Sequence, residues 1–281
     1  MELTGFSPVP QPSPAVEFQH VSFAFDDHVI LDDISLSIPA GSMRVLLGPS
    51  GSGKSILLKL ILGLYRPDSG SILVNGRRVD DLPEPELLKV RADVGMLFQE
   101  TALFDSLSVY ENVGYRLFEE TEMPAEEAGR RVEEVLGFVG LAEYGDRMPS
   151  ELSGGQRRRV AIARAMASRP KLLLFDDPTV GLDPVIATTV DDEIVKLRDL
   201  EGVTSIVVTH QIRDAHYIAT HEAVKAGDGV EIRPADEAKS AGVVFMVLSE
   251  GKFRFEGTVE ELLASKDPFL ERFLFMTLPP W

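Results

Sequence analysis

Eight residues, Gly48-Pro49-Ser50-Gly51-Ser52-Gly53-Lys54-Ser55, have the types and spacing that bind a phosphate chain. They match G-x-x-x-x-G-K-[ST]. Glycines in this pattern let backbone amides turn toward an anion, Lys54 reaches the terminal phosphates, and Ser55 offers a hydroxyl to Mg²⁺. Three further groups carry related chemistry. Asp176-Asp177 closes the apolar run Leu172 to Phe175, and two carboxylates at a strand end require a cation, for which Mg²⁺ beside a nucleotide is the natural candidate. His210 closes a second apolar run, Ser205 to Thr209. Leu152-Ser153-Gly154-Gly155-Gln156 opens a helix and makes a second anion site at a helix N-terminus. Two have a plain structural alternative: the phosphate loop could be a glycine turn before a buried helix, and His210 a structural histidine.

The elements around these residues favour the chemical reading. The apolar run Met43 to Leu47 precedes the phosphate loop, and Ser55 to Leu64 follows it as an apolar helix, giving strand, loop and helix. Val16 to Ile38 alternates apolar and polar residues in two runs, as antiparallel strands do. Phe25 ends the first run and is either a core aromatic or a platform on which a purine ring stacks. Ser71 to Val74 is a strand closed by the hairpin dipeptide Asn75-Gly76, and Val94 to Phe98 is a strand ending at Gln99. Residues 101–150 change to helical spacing, with Val132, Val135, Leu136 and Val139 on one face. A helix over Arg157 to Ser168 begins with the basic triplet Arg157-Arg158-Arg159, read as a solvated patch. Ile186, Val190, Ile194 and Leu197 line one face of another helix. Residues 225–242 read as an irregular polar insertion between the strands. At the end, Asp267 caps a helix with Pro268 at its first position and an apolar stripe of Phe269, Leu270, Phe273 and Leu274.

Composition bounds the class. The 281 residues, 44% of them apolar, can fill one large or two modest domains. No apolar run is long enough to span a bilayer and no leader pattern is visible, so a cytoplasmic protein is expected. With no cysteines and five scattered histidines, disulfides, thiol nucleophiles and Cys/His metal clusters are excluded from the reading. A net charge of -17 opposes unaided binding to nucleic acid, so none is expected, and a protein partner is favoured.

Taken together, the phosphate loop, Gln99, Leu152 to Gln156, Asp176-Asp177, Gly181-Leu182-Asp183 and His210 follow the order and approximate spacing of an ABC-type ATPase nucleotide-binding domain. The resemblance covers residues 15–260, and the five-residue signature at Leu152 is particular to that superfamily. It implies an α/β P-loop NTPase (RecA-like) core with an antiparallel β subdomain and an inserted α-helical subdomain at about 101–165. A flexible proline-rich leader at 1–14 and a C-terminal helical tail at 261–281 would flank it. It also implies a head-to-tail dimer of two copies with two ATPs between them. Gly48, Pro49 and the amides from Ser50 to Ser55, with Lys54, would hold the phosphates. Ser55, Gln99 and Asp176, the last through water, would set Mg²⁺. Ser153 and Gly155, with Gly154 and Gln156, would cap the γ-phosphate from the other copy. Asp177 falls where the superfamily places the glutamate that polarises water, His210 at its switch histidine, Asp183 where the two sites are coupled, and Phe25 at the adenine-stacking position. The reaction implied is in-line attack of water on the γ-phosphate.

Several stretches resemble more narrowly the ATPase of Mla/Mce-type phospholipid transporters. They are Met96 to Gln99 with Ala102-Leu103-Phe104, Val109 to Val113, Met148 to Leu152, and the tail from Asp267 to Leu274. This implies a subunit that energises membrane permease subunits from the inner face of the cell membrane, and a tail stripe packed on a neighbouring subunit. The alternatives are an ABC importer ATPase for amino acids or another small solute, and a soluble or poorly hydrolysing ABC scaffold. Two departures stand out: Asp177 is one methylene shorter than the expected glutamate, which implies slow turnover, and residues 225–242 have no counterpart.

Overall fold

The computed structural model of the chain describes residues 14–227 and 229–277. The expected leader therefore lies outside the described residues except for Pro14, which opens the first strand.

Its centre is a six-stranded sheet built from β3 (Met43–Leu47), β6 (Val94–Leu97), β7 (Leu172–Asp176), β8 (Thr204–Val208), β11 (Val243–Ser249) and β12 (Lys252–Gly257), ordered β12-β11-β3-β8-β7-β6. All neighbours are parallel except β11 and β12. Every residue of β3, β7 and β8 is buried, which explains their unbroken apolar runs: helices and a second sheet cover both faces. Alternation survives within the runs. Val45, Leu47, Leu173, Phe175 and Val207 enter one core cluster, while Leu46, Leu172, Leu174, Ile206 and Val208 enter the other.

The second cluster lies beneath α1 (Lys54–Ile61) and a four-stranded antiparallel sheet, ordered β2-β1-β4-β5, of β1 (Pro14–Phe25), β2 (His28–Pro39), β4 (Ser69–Val74) and β5 (Arg77–Arg78). Asn75 and Gly76, at φ 48° and 75°, make the tight turn that their dipeptide predicts. The first cluster lies beneath the inserted helices α3 (Val109–Glu119), α4 (Ala125–Phe138) and α5 (Gly154–Ala167), together with α6 (Pro184–Lys196) and α7 (Ile212–Thr220). Ser108 and Glu111 cap α3 reciprocally, and Ser153 and Gln156 do the same for α5.

Three expectations are corrected. Residues 225–242 are ordered: β9 (His221–Ala226) and β10 (Gly229–Pro234) form an antiparallel hairpin, followed by the short helix α8 (Glu237–Ala241). Few of its side chains reach the core, so its apolar signal is weak, and polar anchors hold it instead. Asp199 accepts from the Ala223 amide at 2.8 Å and pairs with Lys239 at 2.8 Å. The stripe on α10 (Pro268–Thr277) packs within this chain, where Leu270, Phe273 and Leu274 are buried in the first core cluster together with Val259 and Leu262 of α9 (Val259–Leu263). Asp267 caps this helix as anticipated, accepting from the amides of Phe269 and Leu270 at 2.8 and 3.0 Å. Finally, the basic triplet is not a solvated patch. Arg157, Arg158 and Arg159 donate to the carbonyls of Leu152, Phe98 and Val139, at 2.6, 3.1 and 2.9 Å, and Arg158 is buried.

Candidate nucleotide site

Because β3, β6, β7 and β8 run parallel, their carboxyl ends share one edge of the sheet, and the residues that leave them meet there. The loop after β3 is shaped by glycine. Gly48 has φ 152°, and a Cβ there would overlap the Leu248 carbonyl. Gly53 caps α1 in a left-handed conformation, φ 100°, where a Cβ would lie 2.8 Å from Ile30 Cγ2. The loop and the start of α1 thus present backbone amides to the cleft. Within the loop the Ser52 hydroxyl is buried and has no hydrogen-bond partner, a donor available to a phosphate oxygen.

Lys54 is buried and folds back on its own loop, its Nζ donating to the carbonyls of Gly48 and Pro49 at 2.8 Å each. Burial lowers its pKa, and the nearby Asp177 and Asp176 act in the opposite direction. Ser55 Oγ donates to Asp176 Oδ1 at 2.7 Å. Burial raises the Asp176 carboxyl, opposed by the Ser55 hydrogen bond and reinforced by the charge of Asp177. A buried carboxylate joined to a hydroxyl, with Gln99 lining the same cleft, is a hard oxygen donor set of the kind that suits Mg²⁺.

Asp177 has φ 44° and donates its amide to the Val208 carbonyl at 2.8 Å, which turns its side chain toward the loop after β8. There Oδ1 accepts from the His210 amide at 3.2 Å and lies 2.8 Å from His210 Nδ1. Since a carboxylate only accepts, Nδ1 carries the proton and Nε2 is left for a ligand. Ser50, Gly51, Gly53, Lys54, Ser55, Gln99, Asp177 and His210, with Ile30, Ile56 and Val180, line one cleft of about 480 Å³.

Other expected site residues lie elsewhere. Phe25 does not line this cleft: it packs edge-on against Phe23 and Tyr65, with ring centroids 4.9 and 5.5 Å away, and is 43% exposed. Ser153, Gly154, Gly155 and Gln156 do not line it either; Ser153 is exposed at the start of α5. Gly155 also has a packing reason to be glycine, because a Cβ there would overlap Ile186 Cγ2. Asp183 caps α6, accepting from the Val185 and Ile186 amides at 3.1 Å.

Sequence reasoning missed Arg158, whose guanidinium joins the Phe98 carbonyl, one residue before Gln99, to the Val180 carbonyl of the cleft wall at 3.2 Å. The signal was present as helical phase. Gly155, Arg158, Ile162 and Ala165 fall on one buried face of α5. Arg164 was missed as well; it holds the loop after Gln99 through the Ala102 and Thr101 carbonyls at 2.7 and 3.2 Å.

A glycine loop between strand and helix, with an acidic strand end and a histidine on the same sheet edge, is the architecture of a P-loop NTPase. Comparison with known proteins gives the family: residues 31–180 match the ABC transporter domain. The chain is 37% identical over 259 residues, 92% of its length and 88% of the other's, to the intermembrane phospholipid transport system ATP-binding protein MlaF of Escherichia coli K12. It is 43% identical over 208 residues, 73% of its length and 85% of the other's, to the glutamine transport ATP-binding protein GlnQ of the same organism. Among solved structures it superposes on the ATP-binding cassette MJ0796, a dimer in a post-hydrolysis state bound to ADP and Pi, with TM-score 0.71 and 30% identity over 87% of this chain and 98% of that one. It also superposes on cbiO1 of Clostridium perfringens, part of the transporter complex cbiONQ, with TM-score 0.75 and 27% identity over 95% and 96% of the two chains. The chain belongs to the ABC transporter family as an ATP-binding subunit.

Proposed function

We propose that this subunit hydrolyses ATP as one of two copies closed head to tail, and that the reaction drives phospholipid transfer by membrane permease subunits. The observation that carries the hydrolytic reading is the cleft. It gathers Lys54, Ser55 with Asp176, Gln99, and the Asp177–His210 pair, but none of the signature residues Ser153 to Gln156. A second copy supplying that segment completes the site, an arrangement supported by the dimeric MJ0796 neighbour.

On ATP binding, Lys54 Nζ leaves the Gly48 and Pro49 carbonyls for the β- and γ-phosphates, and the amides of the loop and of α1 take the remaining oxygens. Ser55, Gln99 and Asp176 would hold Mg²⁺, which supplies charge neutralisation on the phosphates. Asp177 orients and deprotonates the attacking water, and His210, held by Asp177 through Nδ1, presents Nε2 to the γ-phosphate. Asp183 at the head of α6 sits beside the segment that would face the other copy, and Phe25 offers its free face to the adenine. Since the Asp177 carboxylate is short and committed to His210, basal turnover is slow.

Among the described residues no helix is long and apolar enough to cross a membrane. Permease partners at the cytoplasmic face of the membrane are supported by the cbiO1 neighbour, part of a transporter complex, and by the likeness to MlaF. Phospholipid as cargo is supported by the extent of the likeness to MlaF, 92% of this chain against 73% for GlnQ. The amino-acid importer reading rests on the higher identity of that shorter match. Purifying the subunit with its membrane partners, reconstituting them, and comparing turnover with phospholipid and with amino acids distinguishes the two. Stimulation by phospholipid alone is expected, and stimulation by an amino acid alone would overturn the lipid assignment. Lys54→Ala should abolish turnover in the same preparation, and unchanged hydrolysis would remove the phosphate-loop mechanism.

A further inference from the structure

Asp177 and His210 reach the cleft on different loops, one leaving β7 and the other β8. Behind them a second set of side chains ties the same two loops. Thr179, two residues after Asp177 and fully buried, donates its hydroxyl to Asp214 Oδ2, and Gln211, next to His210, donates Nε2–H to Thr179 Oγ1 at 3.3 Å. Asp214, in the first turn of α7, is 1% exposed, and Arg213 Nε donates to its other oxygen at 2.8 Å. A hydrogen-bonded bridge therefore runs from the Asp177 loop through Thr179 to the residue after His210 and to the first turn of α7.

Helix α6 packs on α7 and carries Asp191, which is 1% exposed and whose Oδ1 has no hydrogen-bond partner. The charged groups acting on it are Asp214 and Arg213 of α7 and Asp192 of its own helix; Tyr217 of α7 donates to Asp192 at 2.7 Å, and Arg159 of α5 acts on Glu193. The mechanism above has no use for this carboxyl. A charge on it would be buried, unpaired and beside a second carboxylate.

We propose that Thr179, Gln211 and Asp214 brace the loops that carry Asp177 and His210, and that the proton on Asp191 keeps this brace closed. The proposal rests on Asp177 and His210 serving ATP hydrolysis. While Asp191 is neutral, it puts no second buried negative charge beside Asp214, whose Oδ2 stays on the Thr179 hydroxyl. When the Asp191 proton is lost to solvent, two carboxylates share a buried space, and Asp214 relieves the repulsion by turning away. That movement removes the acceptor from Thr179 and loosens Asp177 from His210. Burial, aided by the charge of Asp214, pushes the Asp191 carboxyl up to about 8, so the device acts just above neutral pH. Asp191, Thr179, Gln211 and Asp214 are positioning residues; none lines the cleft.

The test is a pH–rate profile of the full chain and three variants, with kcat and KM for ATP measured separately. The parent should lose about tenfold in kcat one pH unit above the Asp191 midpoint, as the neutral fraction falls to about one in eleven, with KM nearly unchanged. Asp191→Asn, an uncharged isostere, should keep its rate across that range. Thr179→Val should lower kcat about tenfold at pH 7 at constant KM, and Thr179→Ser should restore it. An alkaline loss in Asp191→Asn equal to that of the parent, or a Thr179→Val enzyme as fast as the parent, would overturn the brace. Infrared spectroscopy reads the same group without activity: a protonated-carboxyl band should be present in the parent at pH 7, vanish between pH 7 and 9, and be missing from Asp191→Asn. Its absence at pH 7 refutes the proposal even for a catalytically silent protein, whereas a silent protein with the band present points to failure of the hydrolytic reading instead.

Discussion

Lengthening Asp177 by one methylene should accelerate the enzyme, and the structure sets the size of the effect. Asp177 Oδ1 is held by the His210 amide and ring at 3.2 and 2.8 Å, so its reach toward the cleft is limited by both chain length and these bonds. Asp177→Glu adds about 1.3 Å of reach along an extended side chain. An offset of about 1 Å at a proton-transfer site is worth roughly 100-fold, or about 2.7 kcal/mol. Against that gain stands the loosened contact with His210, worth about 1 kcal/mol for one hydrogen bond, or roughly fivefold. The net expectation is a rise in kcat of about 20-fold, with KM for ATP changed by less than threefold because Lys54, Ser55 and the loop amides are untouched. Asp177→Asn, which keeps the shape but cannot accept a proton, should be silent. The assay is steady-state phosphate release at saturating ATP, with Lys54→Ala as the background. An Asn variant as active as the parent would show that Asp177 is not the base. A Glu variant no faster than the parent would show that reach is not what limits it.

Removing residues 267–281 takes Leu270, Phe273 and Leu274 out of the core, and at about 2 kcal/mol for each buried side chain the loss should be roughly 5 kcal/mol after allowing for a compact denatured state. Urea unfolding of the truncated chain checks this, and a loss below about 1 kcal/mol would mean that the helix is only loosely seated. Gly48→Ala should weaken ATP binding at least tenfold in a direct titration, because its Cβ and the Leu248 carbonyl cannot occupy the same space; unchanged affinity would show that the loop relaxes freely. Asp191→Asn should stabilise the protein in a pH-dependent manner. The folded-state pKa is raised from 3.8 to about 8, so the parent's stability is intact below about pH 4, declines as the pH rises, and is fully reduced above 8, by at most about 6 kcal/mol. The gain in melting temperature should therefore be small at pH 5 and large at pH 9; equal gains at both would exclude titration of Asp191 as the cause.

What the sequence made legible were the places where local chemistry leaves few choices. The phosphate loop and the Asn75-Gly76 turn need backbone conformations that favour particular residues, and the buried parallel strands need continuous apolar runs, so both appear as short patterns. What stayed hidden depends on partners distant in sequence. The hairpin of β9 and β10 is positioned by Asp199 and by Arg198, whose guanidinium bonds the Ile218 and His221 carbonyls at 2.5 and 2.6 Å; only Ala223 and Ile232 mark it as core-facing. The α10 stripe was legible as apolar, but periodicity states that a face is covered and not by what, so a neighbouring subunit and the chain's own core were indistinguishable.

Charged residues misled for a related reason. Arg158 and Asp191 are both buried, although Arg158 sits in a triplet that reads as solvated and Asp191 in a run of three acidic residues. Helical phase places both on the packed side. Arg158 follows Gly155 by three residues and precedes Ile162 by four, and Asp191 follows Ala187 by four and precedes Ile194 by three, so each lies on the face that packs. A charge on the inward face of a helix must find a partner or be neutralised, which for a carboxyl group means keeping its proton. Arg158 finds two carbonyls that flank the cleft, while the Oδ1 of Asp191 finds none. That difference is why the arginine is part of a static clamp on the nucleotide site and the aspartate is the group able to change state.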